Sequence, residues 1–222
     1  MERVLEPELM NDSLQAEAYA RADFEEPHSA YPQLFLAEFS SFPLRASVLD
    51  LGCGPGDVTI RFAKAFPGYQ FHAVDGAAAM LDQARLALRS QPEIAGRVEL
   101  VQGLLPGATL PQQSYDIILS SNLLHHLHHP NALWQTVRRF GREGTLVFVT
   151  DLFRPTSRAA AEEMVERYAR GEPEVLRRDF LNSLLAAFTP AEIEKQLSEN
   201  DLGCLTLKVI SDRHVVISGK LQ

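Results

Sequence analysis

A glycine-rich segment stands between a buried-strand pattern and a helical pattern. It reads VLDLGCGPGD over residues 48–57, and apolar residues follow at helical spacing up to Phe66. Glycine adopts a positive φ at little cost and lets a ligand approach the backbone. Unpaired N–H groups at the start of a helix attract a carboxylate or another anion. The segment therefore predicts a strand, a ligand-binding loop and a helix, with Asp57 as the helix N-cap.

A second acidic residue follows the next strand pattern. Residues 69–74 predict that strand, and Asp75 comes directly after it, 19 residues beyond Gly56. In doubly wound folds an acid at the carboxyl end of a strand accepts hydrogen bonds from ribose hydroxyls. Asp75 is therefore expected to bind a ribose, and its alternative role is to cap the following helix over 77–88.

The alternation Asp50-x-Gly52-x-Gly54-x-Gly56 resembles the first motif of class I S-adenosylmethionine-dependent methyltransferases. It differs from the Gly-x-Gly-x-x-Gly of dinucleotide-binding folds. The resemblance implies S-adenosylmethionine as the cofactor and S-adenosylhomocysteine as the product. Asp50 would hold the ammonium group of the cofactor, and Asp75 would hold its ribose hydroxyls. The cofactor contacts that the resemblance implies are Asp50, Gly52, Cys53, Gly54, Asp75, Gly76, Met80, Gly103, Leu104 and Asn122.

Four histidines lie between His125 and His129, after a strand pattern over 115–120. The segment resembles the family's pattern at this point, where an Asn and a Leu-His-His run border the methyl-transfer pocket. Because the ordinary pKa of histidine is near 6.5, His125 and His126 are candidate general bases. Imidazole also binds zinc. We expect no metal, because the family run accounts for these two histidines and a helix start at Pro130 accounts for the other two.

Helical patterns precede and follow this core. Residues 11–24 and 32–39 predict two helices separated by Pro27, and many methyltransferases of this class close such helices over the cofactor pocket as a lid. Residues 156–188 predict a helical insertion beside them, which would form the acceptor pocket. Packing or surface ion pairing is the alternative role for each side chain concerned. The candidate acceptor contacts are Tyr19, Phe24, His28, Tyr31, Arg154, Arg177, Arg178, Asp179 and Asn182.

Alternating strand and helix patterns predict one α/β domain with a doubly wound, Rossmann-like sheet. Strand patterns over 205–210 and 214–218 predict a closing hairpin, and the resemblance implies the strand order 3-2-1-4-5-7-6 with strand seven antiparallel. A capping box at residues 189–192 starts the last helix. The expected divisions are an N-terminal helical lid (1–44), a cofactor-binding core (45–155), a helical insertion (156–188) and the last helix with the hairpin (189–222).

The composition limits the classes of partner. A net charge of −8 argues against nucleic acid, and two cysteines cannot form a disulfide framework. No apolar run approaches the length of a membrane helix, and the first residues are too acidic and polar for a signal peptide. We therefore expect a cytoplasmic protein without a membrane span, and the sequence leaves the oligomeric state open.

Together these features predict an S-adenosylmethionine-dependent methyltransferase that moves a methyl group by direct displacement to a small-molecule acceptor. Within the class, the chain is similar to the ubiquinone- and menaquinone-biosynthesis type. The alternatives are a protein or tRNA methyltransferase, a non-catalytic S-adenosylmethionine-binding protein, and a dinucleotide-dependent oxidoreductase, which the glycine spacing and the closing hairpin disfavour. No Asn/Asp-Pro-Pro-Tyr tetrapeptide follows strand four, which counts against methylation of base amines. Whether the acceptor atom is O, N, S or C stays open.

Overall fold

A computed structural model describes residues 1–22 and 25–222, apart from the side chains of residues 25–27. The described strands are β1 (Ala46–Leu51), β2 (Tyr69–Asp75), β3 (Val98–Gln102), β4 (Ile117–Ser121), β5 (Leu146–Leu152), β6 (Leu205–Val209) and β7 (His214–Lys220). The described α-helices are α1 (Ser13–Arg21), α2 (Glu25–Glu38), α3 (Asp57–Ala65), α4 (Ala78–Arg89), α5 (Pro92–Ala95), α6 (Asn131–Phe140), α7 (Arg158–Tyr168), α8 (Glu174–Ala186) and α9 (Pro190–Glu199). A short 3-10 helix covers Leu124–His126.

The strands form one sheet in the order β3-β2-β1-β4-β5-β7-β6. β7 is antiparallel to both of its neighbours, β5 and β6, and the other pairs are parallel. The predicted fold and strand order are therefore confirmed. β5 is buried along its whole length, as expected for a central strand that is covered on both faces.

The strand register places the loops with polar side chains at one edge of the sheet. Leu51 of β1 lies opposite Ser120 of β4, and Ser121 of β4 lies opposite Thr150 of β5. The glycine loop and the histidine run start just beyond these positions. In open α/β sheets ligands bind outside the carboxyl ends of the strands, so we expect a ligand site at this edge.

The second N-terminal helix begins at Glu25, seven residues before the predicted start. The prediction that Pro27 separates the two helices was wrong, because the backbone is helical from Glu25 onward and a helix accepts proline in its first turn. Pro32 lies inside the helix. The hydrogen bond it removes is offset by burial of Tyr31 and Phe35, which are 2% and 0% exposed. Phe24 lies outside the described residues.

The first ten residues, named here the N-terminal strap, cross the carboxyl edge of the sheet. The sequence predicts poor order for them unless something holds them, and Arg3 does so. Its Nη2 donates to the carbonyls of His125 and Leu127 at 2.8 and 2.9 Å. Its guanidinium also lies 3.8 Å from the centre of the Phe188 ring. The strap is therefore part of the folded unit.

Helices α7 and α8 pack on each other and on the end of β5 through an apolar cluster that includes Leu152, Val165 and Leu184. Asp179 of α8 accepts a hydrogen bond from Gln15 Nε2 of α1 at 2.8 Å, so α8 lies beside the N-terminal helices. The predicted capping box at the start of α9 is confirmed. In the part of the chain that the structure describes, no helix has the length and apolar character needed to cross a membrane.

Candidate active site

Two cavities adjoin at the carboxyl edge of the sheet. The glycine-loop cavity has a volume of about 440 Å³ and is lined by the loop after β1 and by the ends of β2, β3 and β4. The histidine chamber has a volume of about 450 Å³ and is lined by His125 and by parts of α1, α2 and α8. The two cavities share part of their lining. Six residues line both of them: Met10, Tyr19, Ala22, His28, Asn122 and His126. A ligand in one cavity can therefore lie close to a ligand in the other.

All ten predicted cofactor-binding residues line the glycine-loop cavity. Gly52 and Gly54 have φ angles of 74° and 53°, which favour glycine. A Cβ on Gly52 would lie 2.7 Å from the Leu123 side chain, whereas a Cβ on Gly54 would meet nothing within 4 Å. Gly52 is therefore required by packing, and Gly54 leaves open space beside a ligand.

The prediction that Asp57 caps α3 was wrong. Gly56 is the N-cap, with a φ of 84°, and Asp57 is the first helical residue. The Asp57 carboxylate pairs with His28 Nδ1 at 2.7 Å and accepts from Arg61 Nε at 3.0 Å. Burial opposes the charge, but the hydrogen bonds from His28 and Arg61 outweigh it and lower the pKa of Asp57. Asp57 thus fixes a side chain of the wall between the two cavities.

Asp50 is a carboxylate with little access to water at the base of the glycine-loop cavity. It is 2% exposed, and its Oδ2 accepts a hydrogen bond from Thr59 Oγ1 at 2.5 Å. Burial, together with the charge of Asp75, raises the pKa of Asp50 to about 6. A cation in the cavity would stabilise the charged form, which fits the predicted contact with an ammonium group.

Asp75 braces the glycine loop against the start of α4. Its Oδ2 accepts from Gly54 N and its Oδ1 accepts from Ala77 N, both at 2.8 Å. The capping alternative therefore has a structural basis, although the N-cap of α4 is Ala77 itself. Each carboxylate oxygen can accept a second hydrogen bond, so the ribose contact stays a prediction.

The two predicted catalytic histidines lie at the chamber wall. His125 is 3% exposed, and its Nδ1 lies 2.6 Å from Asp151 Oδ1. Asp151 Oδ2 also accepts from Leu124 N at 2.7 Å, so this carboxylate fixes the ring. Burial opposes a charge on His125, but Asp151 and Glu6 outweigh it and raise the pKa of His125. His126 lines both cavities.

Glu6 and Asp151 are two titratable residues beside the histidines that the sequence did not identify. Glu6 Oε1 lies 3.1 Å from His126 Nδ1 and 3.8 Å from His125 Nε2. Asp151 could have been found, because a carboxylate at the carboxyl end of a central strand points to the site. No local pattern marks Glu6, since only the tertiary contacts of the strap bring it there.

Among the predicted acceptor contacts, Tyr19, His28, Tyr31 and Asp179 line the histidine chamber. The side of α8 that faces it carries Leu176, Asp179, Phe180 and Ser183, which recur at helical spacing. Arg213 and His214, at the start of β7, line it as well. The chamber therefore combines apolar and titratable side chains.

The structure does not bring four predicted acceptor contacts to either cavity, which corrects those predictions. Arg154 is 6% exposed and donates to Ala187 O at 2.9 Å and to Glu192 Oε1 at 2.7 Å, tying α8 to α9. Arg177 pairs with Glu166 of α7. Arg178 and Asn182 lie on α8 outside the face that lines the chamber. Helical periodicity turns Arg178, the neighbour of Asp179 in sequence, away from the chamber.

Comparisons with known proteins agree with this geometry. Residues 48–144 match the family described as "Methyltransferase domain". The chain is 31% identical over 104 residues to a malonyl-[acyl-carrier protein] O-methyltransferase of Paenibacillus, covering 46% of this chain and 38% of that protein. It is 28% identical over 168 residues to a release factor glutamine methyltransferase of Rhodopirellula baltica, covering 75% and 53%. The chain thus spans about half or less of the length of these relatives.

A solved S-adenosylmethionine-dependent methyltransferase from Aquifex aeolicus has the same fold, with a TM-score of 0.68 at 16% identity over 95% of this chain and 99% of that one. Residues 48–144 therefore match a methyltransferase domain, and the fold of the chain is that of solved S-adenosylmethionine-dependent methyltransferases. These comparisons support the predicted methyltransferase family, enzyme class and S-adenosylmethionine cofactor.

The described residues fit this cofactor. The glycine-loop cavity lies within the usual size range of ligand sites. The open space beside Gly54 admits a ligand against the backbone. Asp50 offers a buried carboxylate for an ammonium group, and Asp75 offers acceptors at the end of β2 for a ribose.

Proposed function

We propose that this protein transfers a methyl group from S-adenosylmethionine to a small-molecule acceptor that binds in the histidine chamber. The observation that carries the proposal is the shared wall between the two cavities. The chamber volume of about 450 Å³ is that of a site for a small organic molecule. The net charge of −8 disfavours tRNA, and the expected cytoplasmic location stays a prediction.

Most of the catalysis in this proposal comes from positioning. When bound, S-adenosylmethionine would supply an electrophilic methyl group: an acceptor lone pair forms a bond to the methyl carbon as the C–S bond breaks, and the electron pair of that bond stays on sulfur. The residues that line both cavities, such as His28 and Asn122, set the distance between the two ligands. Apolar side chains such as Leu176 and Phe180 exclude water. Such positioning can contribute several kcal/mol, with a ceiling of about 7–11 kcal/mol.

An acceptor with a phenol, an enol or an acidic C–H must also lose a proton. We propose that His125 and His126 promote this loss, because both line the chamber. Asp151 fixes the His125 ring with Nδ1 as the donor, so its Nε2 carries the lone pair. A general base is one chemistry that such a histidine supplies.

A labelling experiment tests the proposal. The protein is incubated with methyl-labelled S-adenosylmethionine and, separately, with a small-molecule extract, tRNA and total protein. We expect label in the small-molecule fraction and less of it with His126→Ala. Label confined to the protein fraction would show that the acceptor is a protein, as the name of the release factor methyltransferase among the relatives indicates for that enzyme. Binding of S-adenosylhomocysteine without any labelled product would support a non-catalytic protein.

A further inference from the structure

Although the sequence predicts no metal at the histidine run, we propose that Glu6, His125 and His126 bind a divalent transition-metal ion at the wall of the histidine chamber. One carboxylate oxygen and one ring nitrogen from each histidine lie within 4.8 Å of one another. Glu6 Oε1 lies 3.1 Å from His126 Nδ1 and 3.8 Å from His125 Nε2. The three ligands come from the strap and from the 3-10 helix after β4, so the site exists only in the folded chain.

Two of the ligand atoms have each other as their only close polar partner among the described residues. Glu6 Oε1 and His126 Nδ1 are buried and make no hydrogen bond within the part of the chain that the structure describes. Their separation of 3.1 Å allows an ion pair, but its geometry is not that of a hydrogen bond. The Glu6 side chain is only 8% exposed. Buried polar atoms normally have partners, and an ion bound by both would supply them.

The surroundings of His125 and Glu6 are those of a metal site. Asp151 Oδ1 pairs with His125 Nδ1 at 2.6 Å, which leaves Nε2 free to act as a ligand, and metal-bound histidines commonly donate to such a carboxylate. His128 Nε2 contacts the Glu6 carbonyl at 2.7 Å and holds the strap in place. Arg3, a cation close to this cluster, donates to the backbone carbonyls of His125 and Leu127, so these hydrogen bonds do not occupy the Glu6 carboxylate.

The ligand set selects the kind of ion. Two imidazoles and one carboxylate suit zinc and related first-row ions better than magnesium, which prefers oxygen ligands. Because His125 and His126 line the chamber, a further coordination position would face the acceptor. An ion there would occupy the lone pair of His125 Nε2, so the ion, and not this histidine, would promote proton loss by lowering the pKa of a bound hydroxyl. That catalytic role rests on the proposed function, whereas binding of the ion does not.

Cobalt titration of the full chain, without a polyhistidine tag and after treatment with a chelator, tests the site. We expect one Co²⁺ per chain, visible by its absorption bands, and competition by Zn²⁺. Glu6→Gln and His126→Ala should each weaken binding at least tenfold. Asp151→Asn, which removes only the carboxylate behind His125, should weaken it by about 10–100-fold. The matched controls Glu8→Gln and His129→Ala should bind cobalt as the unaltered chain does.

Circular dichroism and S-adenosylhomocysteine binding are measured on every variant, so that loss of folding is separated from loss of a ligand. Absence of cobalt binding at micromolar concentration would overturn the proposal, and so would equal binding by Glu6→Gln and Glu8→Gln. If S-adenosylhomocysteine binds but cobalt does not, the metal proposal alone fails. If cobalt binds but S-adenosylhomocysteine does not, the proposed function fails and the metal site stands.

Discussion

At the scale of single residues, Asp50 shows how a binding site can weaken the fold that carries it. Burial, with the nearby charge of Asp75, raises its pKa to about 6, from an ordinary value of 3.8. The folded chain therefore holds this proton more tightly than the unfolded chain does. Stability falls as the pH rises between these two values, because the carboxylate then has to be charged in the folded state.

We expect Asp50→Asn to stabilise the free protein at pH 7 by up to about 3 kcal/mol, the free energy that corresponds to this difference in pKa. Urea unfolding measures the gain. It should disappear as the pH falls from 7 to 4, because Asp50 is then protonated in the folded chain. The gain is the free energy of unfolding of Asp50→Asn minus that of the unaltered chain. A gain at pH 7 that is no larger than the gain at pH 4 would contradict this explanation.

The same substitution should weaken S-adenosylhomocysteine binding at least tenfold, because the ammonium group loses its carboxylate. In the unaltered chain, the affinity should fall as the pH drops below about 6, where Asp50 becomes neutral. Calorimetric titration at several pH values checks this, with Asp82→Asn, an exposed acid on α4, as the control. Equal affinity at pH 5 and pH 7 would show that Asp50 does not bind the ammonium group.

Two glycines of the loop differ in what a methyl group would meet. We expect Gly54→Ala to cost about 1–2 kcal/mol for its left-handed backbone and to weaken S-adenosylhomocysteine binding, since its Cβ has no protein neighbour within 4 Å. Gly52→Ala adds a contact of 2.7 Å with Leu123 and should destabilise the fold further. Urea unfolding and ligand titration separate the two effects. A larger loss of stability in Gly54→Ala than in Gly52→Ala would contradict this difference between the two glycines.

At the scale of elements, the N-terminal strap joins the site to the helices around it. Leu9 and Met10 line the glycine-loop cavity, and Arg3 holds the strap through the carbonyls of His125 and Leu127. The strap does not contribute a strand to the sheet. Its release should therefore open the site while the core stays folded.

We expect Arg3→Ala to speed proteolysis within residues 1–10 and to weaken S-adenosylhomocysteine binding about tenfold. The free energy of unfolding should change by no more than about 3 kcal/mol, the scale of a lost hydrogen bond to a charged group. Arg89→Ala, an exposed arginine at the end of α4, is the control. An affinity equal to that of the control would show that the strap does not cover the ligand.

The elements that the sequence predicts well are those with a strong local pattern. The strand and loop around Gly52, the capping box at Thr189 and the closing hairpin each combine periodicity with turn or cap residues. The start of α2 was missed because two prolines oppose a helix locally and tertiary burial of Phe35 favours one. The prediction of Asp57 as the N-cap of α3 was wrong because Gly56, with its positive φ, already occupies the N-cap position at the end of the loop.

At the scale of the whole molecule, the sheet topology assembles the site from distant segments. The loops after β1, β2 and β4 line the glycine-loop cavity, and α1, α2 and α8 line the histidine chamber next to it. The ten predicted cofactor contacts could be located because they lie at the ends of strands or within a few residues after them. Glu6 could not, because its position depends on contacts that span more than a hundred residues.

The central claim is that the glycine-loop cavity binds S-adenosylmethionine, and thermal unfolding with S-adenosylhomocysteine or NAD tests it most directly. A ligand at a hundred times its Kd stabilises by about 2.7 kcal/mol, which for a chain of this size raises the Tm by about 5–11 °C. We expect that rise with S-adenosylhomocysteine, a much smaller one with Asp75→Ala, and none with NAD. A rise with NAD alone would contradict the account.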